Sequence, residues 1–121
     1  MIRCAVALTV FAAAAAAQSV KLRGDEIVIL LSGNTAVGMW DGHAYRQYFD
    51  ADGTTVFADG EAPSSRGTWR VEGDEYQSVE GVDADWEGRF VMEDGGQWFW
   101  VSKTIPPTPF EVIEGKRLVV E

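Results

Sequence analysis

Closely spaced turn residues divide most of this chain into short runs that suit β-strands. The stretch 33–57 reads GNTAVGMWDGHAYRQYFDADGTTVF, in which Asp-Gly pairs at 41–42 and 52–53 separate runs of aromatic and β-branched residues. Such pairs favour two-residue hairpin turns because Gly, Asn and Asp tolerate positive φ angles. The pattern therefore predicts three consecutive antiparallel strands, which form a β-meander.

The same pattern continues almost to the C-terminus. Gly73-Asp74 and the Asp-Gly-Gly sequence at 94–96 mark two further hairpins. The segment 105–109 contains three prolines, which cannot donate hydrogen bonds within a central strand, so we expect an extended connection there. The predicted strands are 35–40, 43–50, 54–58, 66–72, 75–79, 88–93, 97–103 and 110–113, with loops at 59–65 and 80–87 and a strand end or tail at 118–120.

The number and spacing of these strands predict an all-β fold with one short N-terminal helix. Seven or eight short strands favour a small antiparallel up-and-down β-barrel, with a two-layer sandwich as the alternative. Closure of the barrel would leave few strand edges exposed. Within the first hairpin, alternation is expected to place Val37, Met39, Tyr45 and Phe49 on one face.

The segment 19–32 is predicted to contain the helix. Acidic residues at 25 and 26 suit the first turn, and Ile27, Leu30 and Leu31 recur at helical spacing. Gly33 follows in a position that suits a left-handed helix end. The alternative is a buried strand over the unbroken apolar run, since periodicity alone does not distinguish the two.

The first 17 residues resemble a cleavable secretory leader. Arg3 precedes an apolar run, and small residues end at Ala17, as signal peptidase sites require. A buried or membrane helix is the alternative, but the run is short for a bilayer. We therefore expect a periplasmic or secreted protein with a single domain at 18–121, no membrane span after cleavage, and a monomeric state.

Charge and cysteine content exclude several classes of function. Nine basic residues face 19 acidic ones once Arg3 is removed, so the mature net charge is −10. Nucleic acids and anionic membranes are not expected as partners, since both require a basic surface. Cys4 is the sole cysteine and lies within the leader, ahead of the apolar run, so we expect no disulfide, no thiol nucleophile and no lipid anchor.

Four sequence strings carry a resemblance to other proteins. They read LLSGNTAVG at 30–38, HAYRQYF at 43–49, DGT at 52–54 and GTWRVEGDEY at 67–76. Together they resemble a group of small uncharacterised secreted proteobacterial β-barrel proteins with a GNTxxG...YF...DGT...GxW pattern. The resemblance covers 25–76 and implies a periplasmic, lipocalin-like barrel with no assigned activity. Such proteins commonly carry a cysteine pair after the Gly-Asp turn, so this chain would be a divergent member that lacks it.

No catalytic constellation stands out, and we do not expect an enzyme. His43 is the sole histidine, follows a turn and is expected to be exposed, and no nucleophile elbow of the G-x-S-x-G type is present. Carboxylate pairs such as Glu72 and Asp74 could serve acid–base chemistry only at a suitable separation. A hydrolase that uses carboxylates or His43 is the alternative.

No cofactor is implied, and two groups of acidic residues are candidates for a metal site. Asp50, Asp52 and Glu61 match three positions of an EF-hand loop, but Thr55 stands where Gly is needed, so turn formation explains the aspartates better. The other group lies in the loop 80–87 and comprises Asp83, Asp85 and Glu87. A solvated acidic loop is favoured over a cation site there, and no metal is expected.

Large aromatic residues are the remaining candidates for function. We expect many of them to form the core and cover the helix, with the surplus available to bind a small apolar ligand or an envelope protein. A third possibility is a filled barrel that acts as a structural protein or inhibitor, and a cavity of roughly 300 Å³ or more would argue against it. The candidate ligand-binding residues are Trp40, Tyr48, Trp69, Trp98 and Trp100.

Overall fold

The computed structural model describes residues 19–60, 63–81 and 84–119. The predicted leader at 1–17 lies outside these residues. Within them the chain forms one helix and nine strands. In chain order they are β1 (Ser19–Lys21), α1 (Gly24–Leu31), β2 (Asn34–Trp40), β3 (His43–Phe49), β4 (Thr54–Ala58), β5 (Ser65–Glu72), β6 (Glu75–Val79), β7 (Glu87–Asp94), β8 (Gln97–Val101) and β9 (Thr108–Glu114).

Strands β2 to β9 form a closed antiparallel β-barrel. Each strand pairs with the next along the chain, and β9 pairs with β2 to close the sheet, from Asn34 opposite Glu114 to Gly38 opposite Phe110. This continuous ring confirms the predicted all-β barrel rather than the two-layer sandwich. It also confirms the short N-terminal helix, with no strand in its place.

Most strand boundaries follow the turn residues, and one difference occurs at a proline. β4 and β6 have the predicted bounds, β8 ends at Val101 rather than at residue 103, and β9 begins at Thr108 and so includes Pro109. Pro109 pairs with Phe99 of β8, but the pairing of β9 with β2 extends only to Phe110. The proline therefore occupies a position with a ladder on one side alone, where a missing N–H is tolerated.

A short strand before the helix was not predicted. β1 pairs with Met92 to Asp94 of β7, beyond the part of β7 that pairs with β6. The N–H of Leu22 continues this contact by donating to the carbonyl of Val91 at 2.8 Å. All three residues of β1 are exposed, which explains why hydrophobic patterning gave no sign of the strand.

The α1 helix closes one end of the barrel. Its Gly24 N–H donates to Oδ1 of Asp74 in the β5–β6 turn at 2.8 Å, and Gly33 ends it with a φ of +77°. Ile27 and Leu31 are fully buried in the barrel core. In the described part of the chain, no helix is long and apolar enough to cross a membrane.

Aromatic rings fill the barrel above the helix. Phe49 stands edge-on to Trp69 and Tyr76, with ring centroids at 5.5 and 5.7 Å. Trp100 stacks on Phe110 with centroids 4.2 Å apart and an interplanar angle of 14°. Such contacts add about 0.5–1.5 kcal/mol per pair to the free energy gained by burial.

In the β2–β3 hairpin, the residues of β2 that face the barrel interior are not the ones predicted. Gly38 lies opposite Tyr45, so Ala36 and Gly38 share the inward face with Tyr45. Val37 and Met39 therefore face outward, and Met39 is 57% exposed. The prediction was wrong for these two residues because the two-residue turn fixes the register of the hairpin. The inward residues of β2 are small, so the sequence shows no alternation of large apolar and polar residues that would mark the inward face.

The contact of α1 with the β5–β6 turn predicts a destabilising effect for Gly24→Ala. An added Cβ would overlap the carbonyl oxygen of Gly73 and approach Cγ1 of Val71 to 3.2 Å. Alanine normally favours a helix over glycine by about 1 kcal/mol, so helix propensity alone predicts stabilisation. We expect instead a loss of about 1–3 kcal/mol in the free energy of unfolding, measured by urea denaturation.

Ile29→Ala is the matched control on the same helix. Ile29 is 77% exposed, so we expect a change of about 0.5 kcal/mol or less. A higher urea midpoint for Gly24→Ala than for the wild type would show that the helix does not pack against the turn as described.

Candidate functional site

A cavity of about 310 Å³ lies at the end of the barrel opposite α1, which we call the mouth. The hairpin turns at 50–53, 73–74 and 95–96 lie at the closed end, and the described residues of the other connections lie at the mouth. Because neighbouring strands are antiparallel, the mouth is formed by the C-terminal ends of β2, β4, β6 and β8 and by the N-terminal ends of β3, β5, β7 and β9. Its aromatic walls are Trp40, Tyr45, Phe57 and Trp100.

Small residues keep this end of the barrel open. Ser65, Gly67 and Ser78 line the cavity where the closed end has large aromatic and aliphatic side chains. A Cβ at Gly67 would lie 2.6 Å from the carbonyl oxygen of Val79, so the position accepts only glycine without movement. The interior is therefore not filled at the mouth, and the cavity lies at the lower end of the range of about 300–1,000 Å³ that is usual for ligand sites.

Hydrogen bonds fix the polar groups in the wall. Nε2 of Gln47 donates to Oγ1 of Thr55 at 2.9 Å and to Oη of Tyr76 at 3.2 Å. On the other side, Nε1 of Trp100 donates to Oη of Tyr45 at 3.2 Å. These contacts hold both phenol groups in place before any ligand is present.

Burial raises the pKa of both tyrosines in the cavity. The removal of Tyr45 and Tyr76 from water is the main cause, and it is partly offset by hydrogen bonds and by the positive charge of Arg89. Each phenol therefore stays protonated at neutral pH. Groups of this kind donate hydrogen bonds and are poorly suited to act as nucleophiles or bases.

Arg89 contributes a positive charge inside the cavity. It lies on β7 opposite Tyr76 and one inward position above Val91, which is fully buried. Its Cζ atom is 5.6 Å from the ring centroid of Trp40 and 6.0 Å from that of Trp100. In the described part of the chain, the ion pairs within 4.0 Å involve Arg23 and leave Arg89 without a carboxylate partner.

The five predicted ligand-binding residues occupy different places. Trp40 and Trp100 line the cavity. Trp69 belongs to the buried core, where its Nε1 donates to the carbonyl of Asp50 at 2.8 Å, and Trp98 packs near α1 at the closed end. Tyr48 faces outward, with Nζ of Lys116 5.5 Å from its ring centroid.

Sequence reasoning missed most of the polar lining. Gln47, Tyr76 and Arg89 were not singled out, although their inward facing follows from alternation once the register is known. Arg89 lies two residues before the buried Val91, so both side chains are on the same face of β7. An arginine on an inward face is unusual, and this feature of the sequence could have identified Arg89 as a candidate.

His43, Glu72 and Asp74, the candidates for hydrolytic chemistry, do not line this cavity. His43 is exposed at the start of β3, opposite Trp40. Asp74 accepts the hydrogen bond from Gly24 at the closed end, where it fixes the helix rather than serving acid–base chemistry with Glu72. The prediction that the chain is not an enzyme stays a prediction.

The aspartates of the EF-hand-like segment shape the β3–β4 turn. Oδ1 of Asp50 accepts from the N–H of Asp52 at 3.0 Å, and Oδ1 of Asp52 accepts from that of Thr54 at 2.8 Å. The hydrogen bond from the N–H of Thr54 to its carboxylate is the main cause that lowers the pKa of Asp52. Within 19–60, 63–81 and 84–119, no three His, Cys, Asp or Glu side chains come together as a metal site. Glu61 and Asp83 lie outside the described residues.

A second crevice, of about 290 Å³, lies on the outside of α1. Its apolar walls include Leu22, Leu30 and Trp98, and the neighbouring Val20 and Ile29 are exposed. This crevice is more open to solvent than the mouth cavity.

Comparisons with known proteins identify no relative for this barrel. No family model matches the chain, and no curated protein or solved structure is significantly similar to it. The resemblance to small secreted proteobacterial proteins therefore stays a prediction from the sequence strings. Any function must be argued from the cavity itself.

The raised pKa of Tyr76 predicts a loss of stability in alkali. Its folded pKa lies above the ordinary value of about 10, so its contribution to stability is complete below pH ~10 and is lost as the pH rises through the raised pKa. We expect the urea midpoint of the wild type to fall more steeply above pH ~10 than that of Tyr76→Phe. At neutral pH the variant should lose about 1 kcal/mol with the hydrogen bond from Gln47.

Tyr48→Phe is the control, because it removes a phenol from the outer face and keeps both tyrosines of the cavity. It should retain the steep alkaline decline. Equal slopes for the wild type and Tyr76→Phe would contradict the burial of a neutral Tyr76.

Proposed function

We propose that this protein binds a small molecule inside the mouth of its barrel. The observation that carries the proposal is the cavity of about 310 Å³, which is closed below by the aromatic core and open to solvent above. Ligand sites commonly have volumes of about 300–1,000 Å³, with apolar walls and a few placed polar groups. The ligand would therefore be small, with an apolar body that fits between Trp40, Phe57 and Trp100.

The rigidity of the wall supports binding rather than passive packing. Tyr45 stacks on Phe57 with centroids 5.4 Å apart and accepts a hydrogen bond from Trp100. A site whose side chains are already ordered loses little conformational entropy when a ligand enters. The open end lets a ligand enter without disruption of the closed barrel.

Two other functions receive less support. A hydrolase would need groups arranged for acid–base or nucleophilic chemistry, whereas the shifted tyrosines are held in their protonated form and the carboxylates that line the cavity, Glu80 and Glu87, are exposed at its rim. A protein partner could cover the apolar surface around Ile29, but nothing in the structure indicates what would cover it.

We also propose export from the cytoplasm, on the composition of the first 17 residues.

Filling the mouth predicts a loss of binding. Ser65 lines the cavity opposite Phe57, so Ser65→Phe would place a ring in the space of the ligand. The fluorescent probe is 1-aminoanthracene, a flat neutral molecule, titrated into the mature protein. We expect saturable binding to the wild type and at least about tenfold weaker binding to Ser65→Phe, equivalent to ~1.4 kcal/mol.

Ser64→Phe is the matched control, because Ser64 is the adjacent residue and is exposed outside the cavity. It should bind the probe as the wild type does. Urea denaturation would establish that all three proteins fold. Equal probe affinity in the wild type and a folded Ser65→Phe would place binding elsewhere and contradict the proposal.

A further inference from the structure

We infer that the mouth cavity selects a small organic carboxylate with a flat apolar body, and that Arg89 holds its carboxylate group. This inference rests on the proposed function, because it concerns the ligand of the same cavity.

Arg89 is placed where a ligand's polar end would lie. It occupies the inward layer directly above the Val91–Trp100 pair of β7 and β8, of which Trp100 lines the cavity. The guanidinium lies between the rings of Trp40 and Trp100, at the outer limit of cation–π distances, so it is positioned without being neutralised. A buried or partly buried charge normally has a partner, and a ligand anion would supply one.

The hydroxyl of Tyr45 adds a second donor. Oη of Tyr45 accepts from Nε1 of Trp100, and its own proton has no acceptor among the residues that the structure describes. The guanidinium presents several N–H groups in a plane that matches the two oxygens of a carboxylate. An arginine and a phenol in one cavity can therefore bind a carboxylate and leave the aromatic walls to the apolar body.

The charges at the rim do not cancel this preference. Glu80 and Glu87 lie at the mouth and are exposed, as is Arg66 on the strand next to Glu80. Charges in water interact weakly, whereas Arg89 lies deeper among aromatic rings, where the effective dielectric constant is lower. Arg89 is therefore the least exposed of the four charged side chains that line the cavity.

An inward arginine without a carboxylate partner is notable in a chain with so many acidic residues. Nineteen Asp and Glu residues are available in the chain, and Arg23 pairs with two of them at the start of α1. Arg70, on the outer face, instead donates to Gln77 and lies 3.8 Å over the ring of Trp86. Arg89 alone among these three combines an inward position with a cavity large enough for a ligand.

The test compares 2-naphthoate with 2-naphthamide, which share a flat apolar body and differ in charge. Each is titrated into the mature protein by isothermal titration calorimetry at pH 7. We expect the wild type to bind 2-naphthoate at least about tenfold more tightly, since hydrogen bonds to charged groups are among the stronger ones. Arg89→Gln should remove this preference and retain affinity for 2-naphthamide.

Arg70→Gln is the matched control and should keep the wild-type preference. Equal affinity of the wild type for both compounds would overturn the inference and leave the proposed function standing. Failure of both compounds to bind would count against the proposed function as well. A preference that persists in Arg89→Gln would also overturn the inference, because the charge would then be read by another group. The wild-type comparison needs no variant, so it remains decisive even if Arg89→Gln fails to fold.

Discussion

The structure depends first on the insertion of α1 into one end of the barrel. Ile27 and Leu31 are fully buried against the aromatic cluster, and each contributes roughly 1.5–3 kcal/mol through removal of its side chain from water. Without the helix, the rings of Phe49 and Trp98 would border an open lower end. The hydrogen bond from the N–H of Gly24 to Asp74 holds the start of the helix against the β5–β6 turn. The close approach to Gly73 leaves no room for a side chain at residue 24.

A gradient in side-chain size then determines where the barrel is empty. Phe49, Trp69 and Phe110 fill the half next to the helix, where interior packing is dense. Towards the mouth the inward positions on β5 and β6 change to Ser65, Gly67 and Ser78, so the same barrel cross-section can no longer be filled. The cavity follows from these small residues, since the ring of strands keeps its diameter when its inward side chains become smaller.

The sequence allowed most of the fold to be predicted, because turn chemistry is local. Asp41-Gly42 and Asp52-Gly53 require positive φ angles, and the structure has them at Gly42 and Gly53. Strand facing could not be predicted as well, because it depends on register. An alternation of larger apolar residues placed Val37 and Met39 inward, whereas the turn puts Gly38 opposite Tyr45, and only the smaller residues fit beneath that ring.

The site was less accessible to sequence reasoning, because its parts are brought together by closure of the sheet. Trp40 and Trp100 were named for their size, yet the same criterion also selected Trp69, Trp98 and Tyr48, which serve the core, the helix and the outer face. Size does not distinguish a wall from a core, since both are apolar.

Arg89 shows what the size criterion leaves out. On the sequence it is one of ten basic residues in an acidic chain, and its meaning appears only when pairing with Tyr76 places it above the fully buried Val91. A hydrophobic side chain at that position would extend the core by one more layer and bury further apolar surface at about 25 cal/mol per Å². The chain has instead a guanidinium between two tryptophans, which gives up that burial and keeps the mouth polar. Stability alone does not account for this choice, whereas the proposed recognition of an anionic ligand would.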